Sequence, residues 1–579
     1  MNSVVALVIG FIVAGIGYYW YARYFDERVI QVDPKKATPA KMYMDGVDFI
    51  PTSKHVLFGY QFKSIAALGP VLGPIISLQW GWLPGLLWIL LGTFFIGWIH
   101  DYSSAIIGLR NDGETFGALS YKLISPRGRV ILLSFMYFYL LLIVSAFGSI
   151  VASMLQGTPS VPLAILALMA VGLLSGYLIY KKKMDILAVT ILMVVLSIFA
   201  IWLGTVIPIK GSYGAWVVFG LLFSFIGAVL PIWSYTQPIN YISFYLVALG
   251  MLGAVLGILV GHPNFSVPVF TTFSISVGPL WPILFVTIAC GAISGWHSLV
   301  SSSGTARQLE NETDTRYVTG GSMFLEMLLG LIALIIGAAS FATFDEYGAN
   351  LKALGPAGIF AAGLGALLNK LGIGAEFGKA FAGAMLVVLA ITIMQLAVRF
   401  MRIATAEIAG EGVPLLRNTY VGAFVAVLLT YILVMTGTWS YIWTLFGGAN
   451  QLMAALALML ASIWLAKEGK AWQFTYYPML FMLVTTIAAL VLTTRNLIIT
   501  ASKLSAGTAS PPAGQSVGVA IGGNIICAAI AVFLIIAALV LAYDGLRMFG
   551  KARAGKLGKA PAAAPTAKAQ RPPRGCREL

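Results

Sequence analysis

Long apolar runs separated by short polar segments make up most of the 579-residue chain. A run of about 20 apolar residues is long enough to cross a bilayer as a helix. The Gly/Ala-rich stretch 355–369 is weaker and short, and it is predicted not to cross. The pattern predicts fifteen crossings, at about 3–22, 64–79, 84–109, 128–153, 161–180, 186–206, 214–233, 240–260, 279–303, 318–342, 376–400, 417–437, 440–466, 476–494 and 517–543.

Lysine and arginine residues are unevenly divided between the two sides of these crossings. With the N-terminus outside and sides alternating, 30 of the 36 basic residues fall inside, among them those of segment 23–63. The positive-inside rule then predicts an outside N-terminus and a cytoplasmic C-terminus. This topology accounts for most of the net charge of +15, so no nucleic acid partner is expected. The basic end, 544–579, is predicted to be a disordered cytoplasmic tail that contacts anionic headgroups.

Composition excludes several classes of protein. The chain is 59% hydrophobic and 10% charged, whereas soluble domains are about 45–50% apolar and about 25% charged. Its three cysteines, Cys290, Cys527 and Cys576, are too scattered for a disulfide framework or a metal site. There is no H-E-x-x-H motif, P-loop or nucleophile elbow, so neither an enzyme, a resident cofactor nor an ATP-driven pump is expected.

Two Gly-Pro steps interrupt segment 64–79, at Gly69-Pro70 and at Gly73-Pro74. Each proline removes a backbone N–H, and each glycine loosens the helix. Unwound backbone inside a membrane persists only beside protein or a wet cavity, as in many secondary transporters. A kink used only for packing is the alternative. We favour a substrate-binding break at these four residues.

A second interruption, with Pro231, Trp233 and Pro238, lies in 214–238. Five predicted crossings lie in 64–206 and five more in 214–400, and each group opens with its own break. Because five is odd, the two groups enter the membrane from opposite sides, as an inverted repeat requires. Residues 231–238 are therefore predicted to form the other half of the substrate site.

Small and hydroxylated residues fill the segment 279–304. Ser294, Ser298 and Ser301 are spaced by four and three residues, so they share one face of a continuous helix. His297 stands beside that face. Packing alone would explain the small residues, but the hydroxyl face with a histidine is a better match to a hydrated cation or proton site.

Ionisable residues inside a bilayer are costly and mark function by default. Glu326, inside 318–342, suits a protonatable switch, with a carboxyl that reaches interfacial water as the alternative. His100-Asp101 suits either a proton relay or a helix-end pair, and the interfacial pair is favoured. Asn450-Gln451 suits interhelical hydrogen bonding.

Several of these motifs together resemble the carbon starvation protein A family. The string 289–297 is the most specific of them. The resemblance implies an inner-membrane transporter for pyruvate or small peptides, proton-coupled symport, and the LeuT-type core of the amino acid–polyamine–organocation superfamily. The similar stretches are 45–52, 65–74, 81–84, 97–101, 278–305, 312–317 and 446–452.

Two positions depart from that family's pattern. Gly-His-His-Phe of the family is Gly59-Tyr60-Gln61-Phe62 here, and Pro-Arg-Asp-Tyr is Pro238-Ile239-Asn240-Tyr241. An arginine would pair naturally with a substrate carboxylate. Its absence leaves the substrate open, and the lost histidines leave open any proton or metal role at 60–61.

The sequence therefore predicts an all-α polytopic membrane protein with a LeuT-like five-plus-five inverted-repeat core at about 64–400. An N-terminal helix and basic loop (1–63) precede this core, and additional helices (401–543) and the tail (544–579) follow it. The predicted activity is symport of a small molecule with a coupling cation, which is a proton or, as the alternative, sodium. An ion channel and a nutrient sensor with a transporter core are the alternatives.

Overall fold

The computed structural model describes residues 1–410, 412–435, 439–511 and 515–557, with backbone alone at 439–444. Most of the predicted tail, and Cys576 with it, lies outside the described residues. Within them, twelve helices are long and apolar enough to cross a membrane. They are Ser3–Ile30, Trp82–Arg110, Pro126–Gly157, Pro162–Lys181, Ile186–Val206, Thr236–Gly261, Glu312–Ala339, Phe344–Lys370, Ala375–Ala409, Leu445–Lys467, Gln473–Ser505 and Val517–Arg553.

Two further spans are interrupted helices. The first interrupted helix consists of Lys54–Ile65 and Gly69–Trp80, which meet at 45°. The second runs from Leu280 to Thr287, stops, and resumes from Gly295 to Gly304. Because the first begins at Lys54, Lys63 belongs to a helix and not to the basic loop in which it was counted.

Shorter elements complete the described chain. Tyr213–Val229 and Thr419–Met435 are apolar helices of 17 residues each. Two-residue strands, Ser274–Ile275 and Gly278–Pro279, pair antiparallel, with Ser274 opposite Pro279 and Ile275 opposite Gly278. The remaining short helices are Pro39–Met42, Phe116–Leu123, Thr305–Arg307 and Pro414–Arg417.

The prediction of fifteen crossings is therefore wrong in detail. Apolar length alone could not show that 279–303 is broken, or that 214–233 and 417–437 contain only 17-residue helices. The stretch 355–369 is part of the longer helix Phe344–Lys370, which bends at Gly355. Both ends of the helix Phe344–Lys370 lie near the connection 261–266. Ser266 donates its N–H to the carbonyl of Ala338, just before this helix, and Lys370, its last residue, lies against Gly261.

Contacts between connecting segments divide the molecule into two faces. On one face, Ile50 and Thr52 donate backbone N–H groups to Arg307 and Gln308. On the other, Ser3 N–H donates to the carbonyl of Pro263. This grouping agrees with the predicted alternation of sides. Further contacts of the first face join 30 to 470, 33 to 312 and 47 to 232, and contacts of the second face join 1 to 265 and 82 to 268.

The centre of the protein is built on two helices, Ala375–Ala409 and Leu445–Lys467. Their most apolar 18-residue windows are completely buried inside the protein, whereas the corresponding windows of Ser3–Ile30 and Ile186–Val206 are about one-third buried or less. Large apolar side chains that remain exposed on the outer helices are what a bilayer solvates. The described chain is a multi-pass helical membrane protein, and its two interrupted helices pack against this centre.

Candidate functional site

The two interrupted helices cross with their breaks side by side. Gln61, before the first break, donates to Ser301, beyond the second, at 3.0 Å. On the other side of the breaks, Gly69 and Gly73 pack against Cys290 and Thr287. The first half of one helix therefore meets the second half of the other, so the helices run antiparallel.

The first break lies at 66–68 and not within 69–74. Gly69, Pro70, Gly73 and Pro74 all belong to the helix Gly69–Ser77, so the prediction that they are unwound is wrong. Pro70 occupies the first turn, where a missing N–H leaves no helical bond unmade. Both glycines serve close packing, because a Cβ at either would collide with the neighbouring break or its flank. Whether these four residues contact substrate stays a prediction.

The second break lies at 288–294, within the segment 279–304 that is filled with small and hydroxylated residues. The prediction paired residues 231–238 with the first break, but 231–235 lie in the connection between Tyr213–Val229 and Thr236–Gly261, and 236–238 begin the second of these helices. Trp233 Nε1 donates to the carbonyl of Gly46 at 3.1 Å, so this connection packs on the loop near 46. Pro231 lies in the same connection, and Pro238 is in the first turn of a helix, where proline is tolerated.

The predicted hydroxyl face is also interrupted. Ser294 has extended backbone (φ −141°, ψ 132°) and precedes the helix that starts at Gly295, so it does not share a helical face with Ser298 and Ser301. Its hydroxyl donates to Asn450 Oδ1 at 3.0 Å. Ser298 donates back to the carbonyl of Gly295 at 2.7 Å, which leaves its hydroxyl occupied within the helix.

Asn450 fixes the backbone on the far side of the second break. Its Oδ1 accepts from the N–H of Trp296, 3.2 Å away, in the helix's first turn, and from the hydroxyl of Tyr139. Gln451 donates to the carbonyl of Phe285, before the break, at 2.8 Å. The interhelical hydrogen bonding predicted for this pair is confirmed, and its particular role is to hold both ends of an interrupted helix.

Four buried ionisable side chains form a continuous row beside the breaks. Asp101 accepts from Nδ1 of His100 at 2.9 Å and from Nδ1 of His297 at 3.0 Å. His297 Nε2 then lies 3.2 Å from Oε2 of Glu326. All four side chains are fully buried. We call this row, His100–Asp101–His297–Glu326, the histidine–carboxylate relay.

The interfacial interpretation of His100-Asp101 is wrong, as is the interfacial alternative for Glu326. The helix Trp98–Arg110 carries His100 and Asp101 inward, where Asp101 and His297 satisfy each other. Sequence could mark these residues as costly in a membrane, but it could not show that three separate helices bring them together.

The end of the relay at Glu326 is poised to hold a proton. When Nδ1–H of His297 donates to Asp101, the neutral ring leaves Nε2 without a hydrogen. Nε2 and Oε2 then repel each other unless a proton lies on one of them. Neither oxygen of Glu326 has a geometrically sound hydrogen bond within the described chain. A proton on either atom would join His297 and Glu326 by a hydrogen bond.

Lys63 is a functional candidate that sequence reasoning missed. It follows the Gly59–Phe62 departure directly and is fully buried, with Nζ 2.7 Å from Thr392 Oγ1 and 3.4 Å from the carbonyl of Ala66. No carboxylate among the described residues forms an ion pair with it. The sequence signal for this site was a lysine one residue before the predicted start of a membrane span. Because it lay outside that span, the lysine was counted with the basic loop.

The guanidinium of Arg399 links several segments on the first face of the molecule. Arg399 donates to Asp48 at 2.9 Å, to the carbonyl of Gly227 at 2.9 Å and to that of Leu230. Burial opposes ionisation of Asp48, but the positive charge of Arg399, aided by Arg307 and Arg402, outweighs it and lowers the pKa of the carboxyl. The arginine ties one long helix to a loop and to a connection between helices.

A cavity of about 230 Å³ opens on the same face, lined in part by Tyr121, Arg129 and Glu407. The carboxylate of Glu407 accepts from Thr115 at 2.8 Å. A neighbouring cleft shares Glu407 and reaches Ser303 of the second interrupted helix. Among the described residues, no group of three or more histidine, cysteine, aspartate or glutamate side chains is arranged to hold a metal ion.

Comparison with known proteins supplies a family. The family model for carbon starvation protein CstA matches residues 2–350 and 339–489. A peptide transporter CstA of Campylobacter jejuni is 30% identical over 549 residues, covering 82% of this chain and 77% of that protein. The pyruvate/proton symporter BtsT of Escherichia coli is 32% identical over 334 residues, covering 55% and 47%.

Coverage of other relatives is partial. The peptide transporter CstA of Escherichia coli is 32% identical over 336 residues, 55% of this chain and 48% of that protein. The chain thus spans about half the length of the two Escherichia coli relatives it matches. Among solved structures, a manganese transporter of Eremococcus coleocola aligns with 87% of this chain and 99% of its own, at 16% identity and a TM-score of 0.38.

Proposed function

This chain belongs to the carbon starvation protein CstA family, and we propose on that basis that it is a secondary active transporter of the inner membrane. It would take up a small nutrient such as pyruvate or a short peptide by symport with a proton. Relatives are named as a peptide transporter and as a pyruvate/proton symporter. The substrates in both names carry a carboxylate, which is the chemistry that we assign to this chain's substrate.

One observation carries the proposal, namely the histidine–carboxylate relay beside two adjoining helix breaks. Broken helices that meet inside a membrane are the usual setting of substrate and ion sites in secondary transporters. A buried row of imidazoles and carboxylates is the usual means of moving protons there. His297 belongs to the second interrupted helix itself, so protonation at Glu326 would act directly on the backbone that flanks the break.

The inverted repeat is also part of the proposal, in a revised form. The LeuT-like counterparts would be the two interrupted helices, which are antiparallel, and not 64–79 with 214–233. Six helices of at least 17 residues separate them along the chain, so the five-plus-five count at 64–400 needs helices inserted between the repeats. The orientation, with N-terminus outside and C-terminus cytoplasmic, follows from the 30 to 6 division of basic residues, from which Lys63 is now removed.

Uptake into proteoliposomes tests the function. We expect labelled pyruvate or dipeptides to accumulate when a proton gradient, acidic outside, is imposed, and to equilibrate without one. Glu326→Gln should abolish gradient-driven accumulation, because the amide cannot exchange a proton with His297. Glu376→Gln is the matched control, since that carboxyl is 87% exposed and paired loosely with Lys379 at 3.7 Å.

Several results would refute the proposal. Accumulation driven only by sodium would replace the proton as coupling ion. Gradient-independent equilibration at the same rate in wild type and Glu326→Gln would exclude coupling through that carboxyl. Single-channel currents would favour a channel, and transport-dead variants that still signal would favour a sensor.

A further inference from the structure

Lys63 is a fully buried amine for which no carboxylate among the described residues forms an ion pair. Its ammonium has three hydrogens, and the acceptors it reaches are the neutral Thr392 hydroxyl and Ala66 carbonyl. Arg399 is also nearly fully buried, but it is paired with Asp48 at 2.9 Å. A buried charge without a counterion costs several kcal/mol. An anion bound beside Lys63 would offset that cost and keep its amine protonated.

The backbone beside Lys63 offers further donors. Ala67 and Leu68 are buried in the first break, and their N–H groups make no backbone hydrogen bond in the described chain. The carbonyl that Lys63 contacts shares a trans peptide unit with the N–H of Ala67, so that N–H points away from Lys63. The N–H of Leu68 stands at the start of the nine-residue helix Gly69–Ser77, whose N-terminal end carries partial positive charge. Ammonium and helix end together favour an anion.

A third observation concerns Gln395, on the helix that carries Thr392. Gln395 lies one helical turn beyond Thr392 on Ala375–Ala409, so both side chains project from the same face. Gln395 is fully buried, and both polar atoms of its amide lack a hydrogen-bond partner among the described residues. The large majority of buried side-chain polar atoms have a hydrogen-bond partner, so the unsatisfied amide of Gln395, one turn from the Thr392 that Lys63 contacts, indicates a missing ligand.

We propose that the Lys63 ammonium, beside the N-terminal end of the helix Gly69–Ser77, binds the carboxylate of the transported substrate, with Gln395 donating a further hydrogen bond. The inference rests on the proposed transport function and names the group that would hold the substrate's carboxylate. Glu326, whose charge also acts on Lys63, is the carboxylate within the protein that would be its alternative partner.

Binding of matched acids and amides to the full-length protein tests the proposal. The probes are pyruvate against pyruvamide and alanylalanine against its C-terminal amide, each measured by ligand-dependent thermal stabilisation in detergent. Wild type should prefer each acid by about tenfold or more, the effect of one hydrogen bond to a charged group. Lys63→Met should lose that preference and bind the amides as wild type does. Lys63→Arg should keep the preference, because it keeps the charge.

Two additional measurements separate binding from folding. Lys63→Met without ligand should be at least as stable as wild type, because it removes an unpaired buried charge and keeps the volume. Thr392→Val should keep the preference for acids, because it removes a neutral acceptor and leaves the ammonium in place.

The outcomes distinguish this inference from the function on which it rests. If Lys63→Met binds and retains the preference for acids, the carboxylate anchor is wrong while transport stands. A Lys63→Met protein that is much less stable without ligand, but shows the wild-type acid-to-amide ratio, would point to Glu326 as the partner and also overturn the inference. Wild type that binds none of the four probes would contradict both.

Discussion

Replacing Asp101 by asparagine should damage the histidine–carboxylate relay more than any other single polar change. Asp101 accepts from His100 at 2.9 Å and from His297 at 3.0 Å, and all three side chains are fully buried. An amide offers one oxygen and one NH2 group, so one of the two imidazole N–H groups would face a donor. The lost hydrogen bond to a charged group is worth about 1.5–3 kcal/mol, and the stranded N–H adds about 1–3 kcal/mol.

We therefore expect Asp101→Asn to lower the free energy of unfolding by about 3 kcal/mol or more, measured by denaturant titration in detergent. Asp544→Asn is the control, because that carboxylate pairs with Arg127 at 2.8 Å but the arginine is 64% exposed. Exposed pairs contribute about 0–1 kcal/mol. Equal losses in the two variants would refute the geometry, since they would mean that Asp101 does not bridge two imidazoles in the folded protein.

Three further expectations concern the frame around the site. Pairing with Arg399 lowers the pKa of Asp48, so this pair contributes to the free energy of unfolding above the ordinary carboxyl pKa and the contribution is lost in acid. Wild type should therefore lose stability as the pH falls below about 4, and Asp48→Asn should lack that loss. Gly73→Ala should lower the thermal unfolding midpoint, because its Cβ would meet the backbone of the other interrupted helix, whereas Gly522→Ala, with open space around it, should leave it unchanged or raise it. Asn450→Leu should cost about 2 kcal/mol in unfolding free energy, because it strands the buried donors that cap the second break.

The hydrophobic pattern was enough to predict an all-helical membrane protein, and the alternation of its crossings predicted which connections share a face. The positions of the breaks were harder to predict. Gly69-Pro70 marks a helix start, because proline is harmless in a first turn, whereas Gly73-Pro74 lies inside the same helix and its glycine serves close packing. The actual first break, at 66–68, contains only alanine and leucine, which give no local signal. What keeps it open is tertiary, since the side chain of Trp296 donates to the carbonyl of Ser64 at 2.6 Å.

The relay shows a different limit. Glu326 and His297 could be picked out because charge and imidazole are rare in apolar segments. Their contact with Asp101 could not, because about 196 residues separate Asp101 from His297 and no local spacing encodes it. Lys63 fell on the wrong side of a predicted boundary, where a shift of one residue turned a buried cation into a loop charge.

Charge balance gives the relay and Lys63 a common purpose if both proposals hold. With Asp101 and Glu326 ionised, Lys63 protonated and both histidines neutral, the buried cluster carries one net negative charge. A proton at His297 or Glu326 neutralises it, and a substrate carboxylate on Lys63 restores the charge to −1. Because each buried net charge is costly in a membrane, anion and proton are each bound more readily when the other is present. Cotransport of a proton with a carboxylate would then follow from electrostatics alone, without a separate mechanical link between the two sites.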